Sequence, residues 1–163
     1  MVDPVGTPSA DDLARWHRTF APRFFNRAWE LMDHDSDRGP LDDDALDELL
    51  TSAFAQRAHW YEVGDARERA VADWQVSRAA SVAGHPDLAR RFGARALRQA
   101  SGLGPFLLGC GHEALARAAA GAGDRKAVVL HLRQARELCA QVEDDEERQV
   151  LTADLDSLDR PTG

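Results

Sequence analysis

The amino-acid sequence predicts an all-α protein of about seven antiparallel helices, stacked as hairpins in an α-α superhelix. Its commonest residues include Ala, Leu and Arg, which favour helices, whereas strand-forming residues are sparse. Apolar residues recur at steps of three and four along much of the chain. Glycines and prolines divide it into segments of helical length. Because the predicted connections are short, neighbouring helices are expected to pack antiparallel.

The first two predicted helices form a pair over residues 10–64. The first carries a single apolar stripe, which consists of Leu13, Trp16, Phe20, Phe24, Ala28 and Leu31. Pro22 lies in the middle of this stripe and predicts that the helix bends or restarts there. The second helix is expected from about residue 42 to 63, where Gly64 ends it.

Two repeat-like hairpins are predicted over residues 66–142, followed by a capping helix over 144–159. The four helices of these hairpins are expected at 67–83, 87–101, 106–122 and 125–142. Five residues of the hairpins and the capping helix are expected to be deeply buried: Trp74, Leu115, Leu132, Ala135 and Leu155. Residues 1–9 contain two prolines and a glycine but no apolar periodicity, so they are expected to form a flexible tail. The rest, 10–159, is interpreted as a single domain, as its length suggests.

A weak internal repeat supports the hairpin arrangement. Gly84 and Gly123 each separate two predicted helices, and they lie 123 − 84 = 39 residues apart. Each is preceded, six residues earlier, by an arginine: Arg78 in one hairpin and Arg117 in the other. Helical hairpins that recur at about 34–47 residues are typical of stacked repeats.

Each of these two units resembles a tetratricopeptide repeat. The first spans residues 74–97 and the second 113–138, although their spacing is longer than the usual 34 residues. The chain also resembles a family of uncharacterised bacterial helical proteins. That second resemblance is carried by His59-Trp60, Val63-Gly64, Trp74, Ser77-Arg78 and Glu113-Ala114-Leu115-Ala116-Arg117. The tetratricopeptide resemblance implies a groove that binds a protein or peptide, and neither resemblance implies an activity.

Charge and composition indicate which classes of partner are not expected for this chain. The chain has 28 acidic and 20 basic residues, a net charge of −8, so nucleic acid is not an expected partner. It contains neither a secretory signal pattern nor an apolar run long enough for a membrane span, and a cytoplasmic protein without a membrane partner is therefore expected. Cys110 and Cys139 are expected to be reduced and buried.

No sequence motif indicates an enzyme, and no cofactor is predicted. The loop from Asp33 to Asp44 has aspartates at calcium-loop spacing, but Arg38 occupies the position that requires glycine. His112 and His131 lie on adjacent predicted helices, where a metal site is conceivable, although such a site needs three or four ligands. The leading hypothesis is a non-enzymatic module that binds a protein or peptide. The alternative is a helical-bundle enzyme that binds a small molecule or a metal.

Four residues form the candidate binding site: Trp74, Arg78, Glu113 and Arg117. If the two hairpins stack, Arg78 and Arg117 should lie next to each other along one groove. Paired guanidinium groups bind carboxylates well, so an acidic tail of a partner is one expected ligand. The alternative is that both arginines pair with Glu113 and only brace the helices. A homodimer, formed through the aromatic stripe of the first helix, is a further possible assembly.

Overall fold

The computed structural model describes residues 8–33 and 39–158, which form seven α-helices and no strand. The helices are α1 (Ala10–Met32), α2 (Asp43–Val63), α3 (Ala66–Val82), α4 (Pro86–Gln99), α5 (Pro105–Gly121), α6 (Arg125–Cys139) and α7 (Asp145–Leu158). The all-α prediction is therefore confirmed, and the predicted helices agree closely with the observed ones.

Local sequence determines where most helices begin. Side chains at five starts accept a hydrogen bond from the backbone N–H three residues later, and these are Ser9, Asp42, Asp65, Asp124 and Asp144. Such acceptors satisfy N–H groups that have no partner within the helix. At α4 and α5 a proline occupies the first helical position, where no N–H is needed.

Glycines mark the helix ends, as predicted. Gly64 is the C-terminal cap of α2, whereas Gly84 and Gly123 directly follow the caps of α3 and α5. Both of the latter have φ of +73°, a left-handed conformation that side chains with a Cβ disfavour.

Two predicted boundaries inside this pattern are wrong. Helix α1 continues through Pro22, whose ring is exposed, so the proline does not divide it. Packing of α1 along α2 holds both halves in one helix despite the lost hydrogen bond. Helix α6 ends at Cys139 rather than 142, and Val142 is buried in the turn that follows.

The helices form three hairpins, α1–α2, α3–α4 and α5–α6, followed by α7. Each odd-numbered helix contacts the next odd-numbered one, and we call α1, α3, α5 and α7 the odd-helix layer. The even-numbered helices pack mainly against odd-numbered ones, and α2 also contacts α4 through side chains, since the rings of Phe54 and Phe92 lie 5.4 Å apart between centroids. They form a second layer, as the outer helices of stacked hairpins do.

The residues that were predicted to be buried lie in the core only in part. Trp74, Ala135 and Leu155 are buried as expected, within one apolar cluster shared by α3, α4, α5, α6 and α7. Leu115 and Leu132 are only partly buried, contrary to expectation. Helix α6 packs against α5 and α7 alone, so much of its surface faces solvent.

The predicted inward stripe of α1 is buried only in its C-terminal half. Ala28 is fully buried, whereas Leu13, Trp16 and Phe20 are 42%, 48% and 38% exposed. Because α1 begins the stack, the described residues place no helix before it to cover this surface. The homodimer expected there remains a prediction.

Among the described residues, no helix combines the length and the apolar character needed to cross a membrane.

Candidate functional site

The four predicted site residues lie together on neighbouring helices of the odd-helix layer. Trp74 and Arg78 lie on α3, one turn apart, and Glu113 and Arg117 lie one turn apart on α5. The offset of 39 residues relates Trp74 to Glu113 and Arg78 to Arg117. The repeat therefore brings equivalent positions of two hairpins into contact.

Glu113 is the centre of this group. Its side chain is fully buried, and Oε2 accepts a hydrogen bond from the indole Nε1 of Trp74 at 3.1 Å. Oε1 accepts from Nε of Arg117 at 2.8 Å and from Nη1 of Arg78 at 3.3 Å. A buried carboxylate is tolerated because these donors replace the water that it loses on folding.

A fourth ionic group comes from α7. Oδ1 of Asp154 lies 2.7 Å from Nη1 of Arg78, and its side chain is 17% exposed. Burial raises the pKa of the Asp154 carboxyl; the charge of Arg78 opposes this rise and that of Glu113 adds to it. Asp154 was not predicted as a site residue from the sequence. The available signal was its position directly before Leu155, a residue that was predicted to be buried.

Arg78, Glu113, Arg117 and Asp154 form what we call the ion cluster. Two guanidinium groups face two carboxylates, so the cluster needs no external charge for balance. Arg117 also donates to Oγ of Ser157 at 3.0 Å. Both arginines therefore pair with Glu113 and connect neighbouring helices, which is the alternative to a ligand-binding site that the sequence left open. A carboxylate from outside would compete with these internal partners.

An apolar pocket adjoins the ion cluster, with Trp74 as a shared wall. Its volume is about 240 Å³, and it is lined by Trp29, Ala70, Val71, Trp74, Ala96, Phe106, Leu107, Cys110 and Val150. We call it the Trp74 pocket. The rings of Trp29 and Trp74 lie 5.6 Å apart between centroids at 49°. All but one of its lining residues come from the odd-helix layer, the face on which the predicted site residues lie.

The pocket contains one potential nucleophile, Cys110, which is buried. Burial raises the pKa of its thiol far above the ordinary value, and the charge of Glu113 adds to the rise. A thiol that stays protonated is a poor nucleophile, so Cys110 contributes apolar surface to the pocket.

Four of the described histidines form two pairs. Nδ1 of His112 lies 3.1 Å from Nδ1 of His131, whereas the carboxylate of Glu113 is bonded to Trp74 and the arginines. A second pair, His17 and His59, has its Nδ1 atoms 2.8 Å apart. The described residues include no group of three or more potential metal ligands.

Residues 34–38 of the loop with aspartates at calcium-loop spacing lie outside the described residues.

The chain matches no protein-family model, no curated protein and no solved structure.

Proposed function

We propose that the chain is a non-enzymatic, tetratricopeptide-like module whose odd-helix layer binds a protein or peptide. The order of helix contacts supports this interpretation, since consecutive hairpins stack through their first helices. Stacked hairpins present those first helices along one face, which such proteins use for binding.

The Trp74 pocket is the observation that carries the proposal. Its surface is almost entirely apolar, and it lies between α1, α3, α5 and α7. Its volume of about 240 Å³ is below the roughly 300–1,000 Å³ of sites for drug-sized molecules. That volume suits one large apolar side chain. Full burial of such a side chain contributes about 1.5–3 kcal/mol, which makes it an effective anchor for a peptide.

The ion cluster changes which partner is favoured. Arg78 and Arg117 already bond to Glu113 and Asp154, so an acidic tail would gain only by displacing buried partners. A segment with an aromatic or branched aliphatic residue gains from the pocket without disturbing those pairs. We therefore propose an apolar anchor residue as the main determinant of recognition, and an acidic tail as a secondary contributor.

A random-peptide display selection against the immobilised chain tests this proposal. We expect the enriched peptides to share an aromatic or branched aliphatic residue. Ala70→Leu fills the Trp74 pocket from within, because Ala70 is buried in its wall. This variant should remain folded and lose the selected peptides. Ala66→Leu, at an exposed position on the same helix, is the matched control and should retain them.

The alternative class, a small-molecule site, predicts a different result. In that case free indole would bind, quench the tryptophan fluorescence of the chain and be excluded by Ala70→Leu, while no peptide would be enriched. Equal peptide capture by the wild type and by Ala70→Leu would show that the Trp74 pocket is not the binding site.

A further inference from the structure

A cleft separate from the Trp74 pocket was not predicted from the sequence. It lies where α2, α3 and α4 meet, has a volume of about 320 Å³ and is lined by Tyr61, Arg69, Arg95, Arg98 and Gln99. We call it the arginine cleft. The hydroxyl of Tyr61, on α2, accepts hydrogen bonds from Arg95 and Gln99 of α4 at 3.2 and 2.6 Å, so the cleft lies where these two helices meet.

A buried carboxylate lies beside the cleft. Asp73 is fully buried; its Oδ1 accepts from Nε of Arg57 at 2.5 Å and its Oδ2 from the hydroxyl of Tyr61 at 2.6 Å. Nε of Arg95 lies 3.4 Å from Oδ2, and Gln99 donates to the same oxygen. Asp73 therefore engages Arg57 and, more weakly, Arg95.

Two further arginines have no acidic partner. Arg69 and Arg98 form no ion pair with any described residue, and Nε of Arg69 is buried without a hydrogen-bond acceptor. A buried donor that lacks an acceptor costs stability, so such a group points to a ligand. Of the three arginines that line the cleft, only Arg95 has a carboxylate partner, Asp73, which it shares with Arg57.

We infer that the arginine cleft binds a phosphate group. A phosphate monoester carries a charge of about −1.5 to −2, which matches the two unpaired guanidinium groups, whereas a single carboxylate would match only one. Guanidinium forks also donate paired hydrogen bonds to phosphate oxygens. In a chain of net charge −8, a local positive cleft concentrates a small anion where the rest of the surface repels it. This inference is independent of the proposed peptide site.

Calorimetric titration of the full chain with inorganic phosphate, at pH 8 and constant ionic strength, tests the inference. We expect saturable binding to one site. Arg69→Gln with Arg98→Gln should weaken it about tenfold or more, because both charged donors are lost. Arg90→Gln with Arg133→Gln makes the same charge change at two exposed arginines with long ion pairs of 3.8 and 3.9 Å. This control should bind nearly as the wild type does.

Parallel titrations identify the source of the phosphate. Tighter binding of glycerol 3-phosphate than of inorganic phosphate would support an ester as the ligand, and the reverse order would support free phosphate. The inference is overturned if phosphate does not saturate, if the control loses as much affinity as the cleft variant, or if succinate binds as tightly. Arg98→Gln alone, at an exposed side chain, repeats the test without altering the buried Nε of Arg69.

Discussion

The indole Nε1 of Trp74 donates a hydrogen bond to the carboxylate of Glu113 at 3.1 Å, across the contact between α3 and α5. The two residues are 39 positions apart, which is also the spacing between the helix-ending glycines Gly84 and Gly123. Positions that are equivalent in the sequence repeat are therefore in contact in the structure. One turn further along, Nη1 of Arg78 and Nε of Arg117 both donate to Oε1 of the same carboxylate.

Removal of both arginines should destabilise the fold. Arg78→Gln with Arg117→Gln leaves the carboxylate of Glu113 buried without a cationic partner, for which we expect a loss of about 3–5 kcal/mol in the free energy of unfolding. Urea titration followed by circular dichroism measures it. Arg133→Gln, which breaks a long exposed pair with Glu137, should cost less than about 1 kcal/mol. Unchanged stability of the double variant would show that the arginines do not brace the helices.

Three glycines of α5 should respond differently to replacement by alanine. A Cβ at Gly111 would lie 2.7 Å from the backbone Cα of Leu97, so Gly111→Ala must shift α4 and should cost about 1–3 kcal/mol. A Cβ at Gly109 would meet only the end of the Leu151 side chain, which can move, and Gly109→Ala should cost less. At Gly121 the nearest atom is 3.6 Å away, so Gly121→Ala should be neutral or stabilising. Thermal unfolding ranks the three, and equal losses at Gly111 and Gly121 would contradict the close α4–α5 approach.

Acidification should weaken the fold below about pH 6.5. Burial lowers the pKa of His59, His112 and His131, and the neighbouring histidine lowers it further for His59 and His112. Between these lowered values and the unfolded value near 6.5, the unfolded chain binds more protons than the native one. Stability is therefore retained above pH 6.5 and lost as the pH falls through the native pKa values. We expect the urea midpoint to decrease between pH 7.5 and 5.5.

Two histidine variants test whether the buried histidines cause this pH dependence. His59→Gln with His112→Gln should reduce the pH dependence, because this variant removes two of the three histidines whose pKa is lowered by burial and leaves only His131. His85→Gln, at an exposed position, should leave the profile as it is in the wild type. A decrease of the same size in all three proteins would assign the effect to other groups.

Cys110 should resist alkylation in the native state. Its thiol is buried beside Glu113 and its pKa is raised, so little thiolate is present at pH 8. We expect iodoacetamide to modify it rapidly only in denaturant, as measured by mass spectrometry of the digested chain. Ser101→Cys provides an exposed reference thiol on the same chain. Equal rates at positions 110 and 101 would contradict the burial of Cys110.

The helices could be predicted from the sequence because their signals are local. Capping side chains, prolines at helix starts and Gly84 and Gly123 at helix ends act within a few residues of chain. Predictions that depended on neighbouring helices were less accurate. Trp16 has the same spacing in its stripe as a core residue, yet it is exposed, because periodicity identifies an apolar face without showing what covers it.

The sequence by itself determined the all-α class and the order of the helices. It also determined that Trp74, Arg78, Glu113 and Arg117 lie together, since a repeat of fixed length places equivalent positions side by side. Only the tertiary structure decided what those residues contact. Asp154 joins them from α7, and Arg69 and Arg98 meet from α3 and α4 at the arginine cleft. Such contacts depend on the angle and distance between packed helices. Those quantities are set by the side chains of the whole interface, which no local pattern encodes.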